Sequence, residues 1–477
     1  MKTLPVRKIG QNQEFALISV AAASIGWILF IQFFGVEVIN ESTLFTRQQN
    51  APSLQGNYKD LKIELVTEGL SSPTSMAFVD DNKILVLEKN TGLVRLISDG
   101  VLQKLPVLKL PVDTKGERGL LGIAVLDNNK NGNNNSYYQF EKTLADYHNY
   151  VNTNFKKMLN DSSTAASAVN TSIFLYFTES NNNSTNNEQL RNRIYKYEWN
   201  GQTLRNPTLI LDLPASPDPY HNGGKLIIGP DHYVYTVIGD LGGPKTQAQN
   251  DNTGPPTDGT GGILRIIQDG KPVSDPPLGK KYPLNLYYAY GIRNSFGMDF
   301  DPVNGKLWDT ENGEDKYDEI NVVKPGFNSG WVKIMGPLSR NLNDVIKGGL
   351  VNFPGSYYSE PVFSWYHSIG ITDIEFLKSS KLGYKYKNNL FVGDINNDNL
   401  YYFEVNESRT GLKLDYNNES KFNSIGLKDM VADNKNELSE IIFGSGFKGI
   451  TDIQTGHNGY LYILTYLDGM LYRIVPS

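Results

Sequence analysis

Apolar residues in this chain fall in short runs, most of them ended by Gly, Asp or Asn. Ser75-Met-Ala-Phe-Val-Asp-Asp-Asn-Lys-Ile-Leu-Val-Leu-Glu88 holds two such runs around a polar turn. Gly92-Leu-Val-Arg-Leu-Ile-Ser-Asp-Gly100 adds a third run. Runs this short, with turn residues at both ends, predict strands joined by tight hairpins. The first part of the unit recurs at Gly122 to Leu126 with Ser172 to Glu179, and at Lys225 to Asp240. It recurs again at Gly297 to Glu311, at Ile371 to Phe376 with Leu390 to Asp394, and at Ile450 to Thr465. The second part recurs at Arg193 to Gly201, Gly262 to Gly270, Asp318 to Gly326, Asn399 to Glu407 and Gly469 to Pro476.

Six such units predict an all-β fold, a six-bladed β-propeller. One blade cannot bury both of its faces alone, so each packs on its neighbours around a central channel. A pair of β-sandwiches is the alternative, and the recurrence of one unit argues against it. Polar excursions at 127–170, 241–259 and 408–440 interrupt the repeat, and Tyr138 to Leu159 could be helical. Long loops on one face of a propeller are where function usually sits.

The N-terminus follows a different pattern. Phe15 to Val36 is almost continuously apolar, interrupted chiefly by Gln32. About 20 helical residues cross a bilayer core. Lys2, Arg7 and Lys8 precede the run, while Glu37 and Glu41 follow it. The positive-inside bias then predicts a cytoplasmic N-terminus and an extracytoplasmic remainder. A cleaved signal peptide is the rival reading, but no A-x-A site follows the run and it is long for an h-region. The predicted organisation is a cytoplasmic segment at 1–14, a transmembrane anchor at 15–36, a polar tether at 37–57 and the propeller at 58–477. Asn-x-Ser/Thr sequons at Asn40, Asn134, Asn160, Asn170, Asn182, Asn183, Asn406 and Asn418 are compatible with glycosylation outside the cell.

Composition narrows the chemistry. The absence of cysteine excludes disulfides, thiolate metal sites and cysteine nucleophiles. A net charge of −6 without a basic run sets nucleic-acid binding aside. The 28 Tyr, 21 Phe and 45 Gly suit a fold made of strands and turns.

Several ordered motifs carry a family resemblance. Gly119-Leu-Leu-Gly-Ile-Ala124 and Tyr220-His-Asn-Gly-Gly-Lys-Leu-Ile-Ile-Gly-Pro-Asp231 come first. A strand from Tyr235 follows, ending in Ile-Gly-Asp-Leu-Gly-Gly243. Gly261-Gly-Ile-Leu-Arg265, Tyr290-Gly-Ile-Arg-Asn294 and Asp318-Glu-Ile-Asn321 come next, then Pro325-Gly-Phe-Asn-Ser-Gly-Trp331 and Glu360-Pro-Val-Phe-Ser-Trp365. From about residue 65 to the C-terminus the chain resembles the glucose/sorbosone dehydrogenases, most specifically over 219–331. The resemblance implies pyrroloquinoline quinone (PQQ) held over the channel by Ca2+. It implies an aldose substrate oxidised at its anomeric carbon, with electrons passed to an external acceptor.

Residue by residue, the resemblance makes His221 the general base and Asp240 the carboxylate that orients it. An imidazole titrating near neutrality suits removal of a hydroxyl proton. Taken alone, His221 is as readily a turn histidine bonded to backbone, and Asp240 a turn residue. Arg293 and Asn294 match the family's Arg-Asn pair, where a guanidinium near a quinone oxygen would stabilise charge. An arginine bracing a blade edge is the plainer reading. Glu117 stands where the family has Gln, which exchanges a neutral donor for a carboxylate beside an anionic cofactor.

Glu311-Asn-Gly-Glu-Asp-Lys-Tyr-Asp-Glu319 lies where the family has its calcium loop. Asn312 would give its side-chain oxygen, and Gly313 and Glu314 their carbonyls, to an ion that takes six to eight oxygens. Glu314 replaces the family's usual Pro, and an acidic solvated turn is the alternative. Val392-Gly-Asp-Ile-Asn-Asn-Asp-Asn399 carries no cation where quinone-using members place Lys and Arg. Lys378, Lys381 and Lys385 nearby read as solvated loop charges. The predicted function is therefore a PQQ- and calcium-dependent sugar dehydrogenase at the outer face of the membrane. A non-enzymatic surface propeller that binds sugar or protein is the alternative, and a calcium-dependent lactonase-like hydrolase is a third class.

Overall fold

The computed structural model describes residues 51–56, 58–127, 171–180, 190–216, 218–340, 349–413 and 427–477. The predicted anchor at 15–36 and most of the tether lie outside these residues. So do the helical expectation at 138–159 and the sequons at Asn40, Asn134, Asn160, Asn170, Asn182, Asn183 and Asn418. Among the described residues, no helix is long and apolar enough to cross a membrane.

Residues Pro52–Ser477 form one compact unit. Among the described residues its strands assemble into six sheets. Each sheet begins on one of six inner strands, Pro73–Asp80, Leu120–Asp127, Leu226–Ile228, Gly297–Phe300, Ile371–Phe376 and Ile450–Thr455. Each inner strand touches the inner strand of the next sheet, and the last touches the first, so the ring closes. The architecture is an all-β propeller.

The sheets follow the sequence units closely. In the second, Thr171–Glu179 pairs antiparallel with both Leu120–Asp127 and Arg191–Trp199. Seven consecutive residues of this middle strand, Ser172 to Thr178, are buried. A strand covered on both faces reads as a continuous apolar run, whereas an edge strand alternates. Leu61–Thr67 shows the mixed burial of an edge. It pairs antiparallel with Met470–Pro476, so the sixth sheet joins residues from the two ends of the ring.

The core is divided among the seams between sheets. Phe174 and Tyr176 of the second sheet share a cluster with Val234 and Leu264 of the third. Trp308 and Trp365 of the fourth pack with Val392 and Tyr401 of the fifth. Met76 and Val86 of the first meet Tyr462 and Leu464 of the sixth, which seals the ring. Burying such side chains contributes about 1.5–3 kcal/mol each.

Two local readings change. Ser53 and Leu54, placed in the tether from sequence, add a short strand to the fifth sheet opposite Ser445 and Gly444. An unpaired sheet edge recruits whatever extended backbone lies beside it. Lys378, read as a solvated loop charge, has its ammonium 2.8 Å from Asp299 and 3.0 Å from Glu375. Asp299 and Glu375 are buried, so they draw the lysine to them.

Candidate active site

Both the turn carrying His221 and the loop after Val234–Ile238 are backbone-locked. His221 holds a left-handed conformation at φ 58°. Its N–H donates to Glu117 Oε2 at 2.7 Å. Gly239 packs between two carbonyls, and a Cβ there would meet His221 O at 2.5 Å and Arg293 O at 2.6 Å. Only glycine permits this approach. The next residue, Asp240, then donates its N–H to Arg293 O at 2.9 Å. One contact point thus gathers the three segments that carry His221, Asp240 and Arg293.

The side chains meet as well. His221 Nδ1 lies 2.6 Å from Asp240 Oδ1. The Asp240 side chain is fully buried, while 16% of the His221 side chain is exposed. Asp240 Oδ1 also accepts from Gly242 N at 2.8 Å. Its Oδ2 accepts from Trp331 Nε1 at 2.7 Å and from the Lys245 ammonium. Burial alone would raise the Asp240 carboxyl, but the bonds from His221 and Lys245 outweigh it and hold it well below its ordinary value.

Arg293 is fixed from three sides. Its N–H donates to Glu311 Oε1 at 2.7 Å, and its Nη1 donates to Asn312 O at 3.2 Å. The guanidinium lies over the Trp331 ring at 5.4 Å. Burial pushes the Glu311 carboxyl up to about 7, against the opposing bonds from Arg293 N–H and the Ser329 hydroxyl. Asn294 Nδ2 donates to Glu117 Oε2 at 3.2 Å. Burial also pushes Glu117 up, despite the nearby His221 and the donors of His221 and Asn294.

Glu117 and Asn312 line a cavity of about 250 Å³ together with Thr74, Gly223, Thr372 and Thr451. These residues come from or adjoin the starts of inner strands in the first, second, third, fifth and sixth sheets, or follow the second strand of the fourth. The cavity therefore sits at one mouth of the ring axis. A second cavity of about 300 Å³ lies at the other ends of the inner strands, lined by Phe78, Val125, Asp299, Glu375 and Thr455. Lys225 lines both. Its ammonium pairs with Asp373 at 2.7 Å and Asp452 at 2.8 Å.

The calcium-loop residues separate. Asn312 Nδ2 donates to Ile371 O at 2.8 Å, so its side chain bridges the fourth and fifth sheets at the cavity. Gly313 is buried and donates its N–H to Asp318 Oδ1 at 3.0 Å. Glu314 is exposed. Asp318 also accepts from Ile369 N and Ile371 N, which makes it a brace for the loop. Among the described residues, no group of three His, Asp or Glu side chains converges as a metal site. The segment without cations does reach the cavity, through Ile395.

Sequence reasoning missed Lys245, Trp331 as a donor, Ser329, and Lys89, which also lines the axial cavity. Lys245 lies in a polar excursion with no period to mark it. Trp331 closes a quoted motif, but nothing local points it at a carboxylate 91 positions away.

Residues 70–473 match the sequence profile of the family described as Glucose / Sorbosone dehydrogenase. Quinoprotein glucose dehydrogenase B of Acinetobacter calcoaceticus is 30% identical over 290 residues, 57% of this chain and 52% of that protein. Aldose sugar dehydrogenase YliI of Escherichia coli K12 is 25% identical over 273 residues, 56% of this chain and 64% of that protein. The matches thus span 52% to 64% of these relatives' length. The PQQ-bound aldose sugar dehydrogenase of Streptomyces coelicolor is 20% identical with a TM-score of 0.56, covering 90% of this chain and 100% of that one. At that identity the likeness shows the fold.

Proposed function

Because the chain belongs to the glucose/sorbosone dehydrogenase family, we propose that it oxidises an aldose sugar at the anomeric carbon with PQQ and Ca2+. The observation that carries this reading is the His221–Asp240 pair, 2.6 Å apart, next to a cavity on the ring axis. Each of the six sheets is read as one blade. A relative named a quinoprotein and a PQQ-bound neighbour support the cofactor.

The residues present fit an acid-bearing ring. Lys89 lines the cavity outside any ion pair, and the buried hydroxyl of Thr372 there has no hydrogen-bond partner among the described residues. Glu117, His221, Arg293 and Asn294 would hold the quinone, which when bound supplies the two-electron acceptor. The chain's own groups handle the proton. Asp240 accepts from His221 Nδ1–H, which leaves Nε2 free to take a proton from the sugar hydroxyl. Lys245 and Trp331 keep Asp240 charged, so it stabilises the imidazolium as it forms. Arg293 contributes a fixed positive charge in a partly dry site. Asn312 Oδ1 and the carbonyls of Gly313 and Glu314 are the oxygens offered to Ca2+. Too few for a full shell of six to eight, they leave the remainder to ligand and water.

The propeller is read as extracytoplasmic and anchored by 15–36, with electrons leaving to an external acceptor. The flanking Lys2, Arg7 and Lys8 support that orientation. The test is to add PQQ and Ca2+ to the purified protein and follow dye reduction across an aldose panel. Reduction with at least one aldose is expected; a flat response across the panel overturns the reading. A second reading, a surface propeller that binds sugar without oxidising it, is favoured by the apolar Ile395 at the cavity. Saturable sugar binding without reduction would select it.

A further inference from the structure

Lys89 is more than nine-tenths buried, at 8% exposure, and lines the axial cavity. Among the described residues its ammonium makes one hydrogen bond, to Asn90 Oδ1 at 3.0 Å, and no ion pair. The other cavity lysine, Lys225, is already neutralised by Asp373 and Asp452. Room for the Lys89 stem is built in. A Cβ at Gly119 would meet Lys89 Cγ at 2.5 Å and Lys89 O at 2.6 Å. A buried ammonium that forms no direct ion pair is costly, and an anion in the cavity would relieve that cost. Burial pushes the Lys89 pKa down, opposed by the charges of Glu117 and Asp113.

A second observation points into the same space. Thr372 is 5% exposed, lines the cavity, and its hydroxyl lacks any partner among the described residues. A cavity that holds an ammonium outside any ion pair and an orphaned hydroxyl suits an occupant that brings a hydrogen-bonding anionic group to them.

We propose that Lys89 is the anchor for a carboxylate of the bound quinone, in place of the cations absent from Val392 to Asn399. This role presupposes the quinone reading of the cavity. It gives the first sheet a direct part in cofactor binding. Its backbone duties are separate, since Lys89 N and O bond Ser72 O and Leu120 N whatever the side chain.

The test is calorimetry of PQQ binding to full-length protein with Ca2+ present. Lys89→Met should weaken binding about tenfold or more, the size of a hydrogen bond to a charged group. Lys89→Arg should retain most of it, and Thr372→Val should weaken it about three- to tenfold. Wild-type affinity should fall with added salt, more steeply than that of Lys89→Met. Equal affinity in wild type and Lys89→Met overturns the Lys89 role and leaves the quinone reading standing. No binding by wild type overturns both. Should Lys89→Met not fold, the wild-type salt response decides, and a salt-independent affinity overturns the proposal.

Discussion

Trp331 Nε1 lies 2.7 Å from Asp240 Oδ2, a bond that joins loops of the third sheet far apart in sequence. The same indole is the surface over which the Arg293 guanidinium and the Lys245 ammonium both lie, at 5.4 and 5.6 Å. One side chain thus fixes the carboxylate that orients His221 and the cation beside it. Asp240→Asn should lower kcat about 10²–10⁴-fold, because an amide presents a donor where Nδ1–H needs an acceptor. Trp331→Phe keeps the ring and removes one donor, so a fall of about tenfold is expected. Steady-state kinetics on an aldose checks both, and an unchanged kcat in Asp240→Asn would remove Asp240 from the proton path.

His221→Gln should reduce sugar oxidation about 10²–10⁴-fold with little change in melting temperature. The side chain belongs to none of the hydrophobic clusters among the described residues, a Gln amide N–H can still donate to Asp240, and the backbone N–H still donates to Glu117. A substitution that empties no core volume has no large stability term to lose. A lower melting temperature with activity retained would make His221 a structural turn residue.

The strands were legible in the sequence because middle strands are buried on both faces and so print as unbroken apolar runs. Val234–Ile238 and Leu461–Thr465 are buried throughout. Leu61–Thr67 escaped notice because an edge strand alternates weakly and its partner lies at the other end of the chain. Among site residues, His221, Asp240, Arg293 and Asn312 were legible through motifs. Lys245 and Lys89 were not, since their roles depend on which loops the ring brings to one mouth. Glu314 is legible as an acid in a turn, but only the fold reveals that its side chain is exposed.

Gly239→Ala should damage site and fold together. The added methyl would press on the carbonyls of His221 and Arg293, which are backbone and cannot rotate away. The expected cost is about 1–3 kcal/mol of stability, with a larger proportional loss of activity as the His221–Asp240 distance opens. Urea unfolding and kinetics on the same preparation measure the two effects. Wild-type activity in a stable Gly239→Ala protein would show that this contact does not set the geometry.

The sixth sheet is completed by the N-terminal edge strand. A chain beginning at Pro52 retains Ser53–Leu54 and Leu61–Thr67, so it should unfold in one cooperative transition. A chain beginning at Glu68 lacks the strand that pairs with Met470–Pro476, so that partly apolar strand becomes the exposed edge of the sixth sheet. It should lose stability and aggregate in proportion to concentration. Matched melts of the two truncations decide this, and equal midpoints would show that the other seams suffice.

Asp394 supplies a pH test on the fold itself. Its carboxyl is fully buried and accepts from Tyr401 OH at 2.6 Å and Asn397 N at 2.7 Å. Burial pushes it from an ordinary 3.8 up to about 7, and these donors only partly offset the rise. Between those values the folded chain keeps a proton that the unfolded chain has released. The stability this group contributes is therefore present at low pH and falls as pH rises toward 7, by at most about 4 kcal/mol. Asp394→Asn removes the titration but keeps the shape. Relative to wild type, the mutant should gain stability between pH 4 and pH 8, measured by urea unfolding at both. If the difference between the two proteins stays constant across that window, Asp394 is ionised in the fold, and Tyr401 with the loop amides fully compensates its burial.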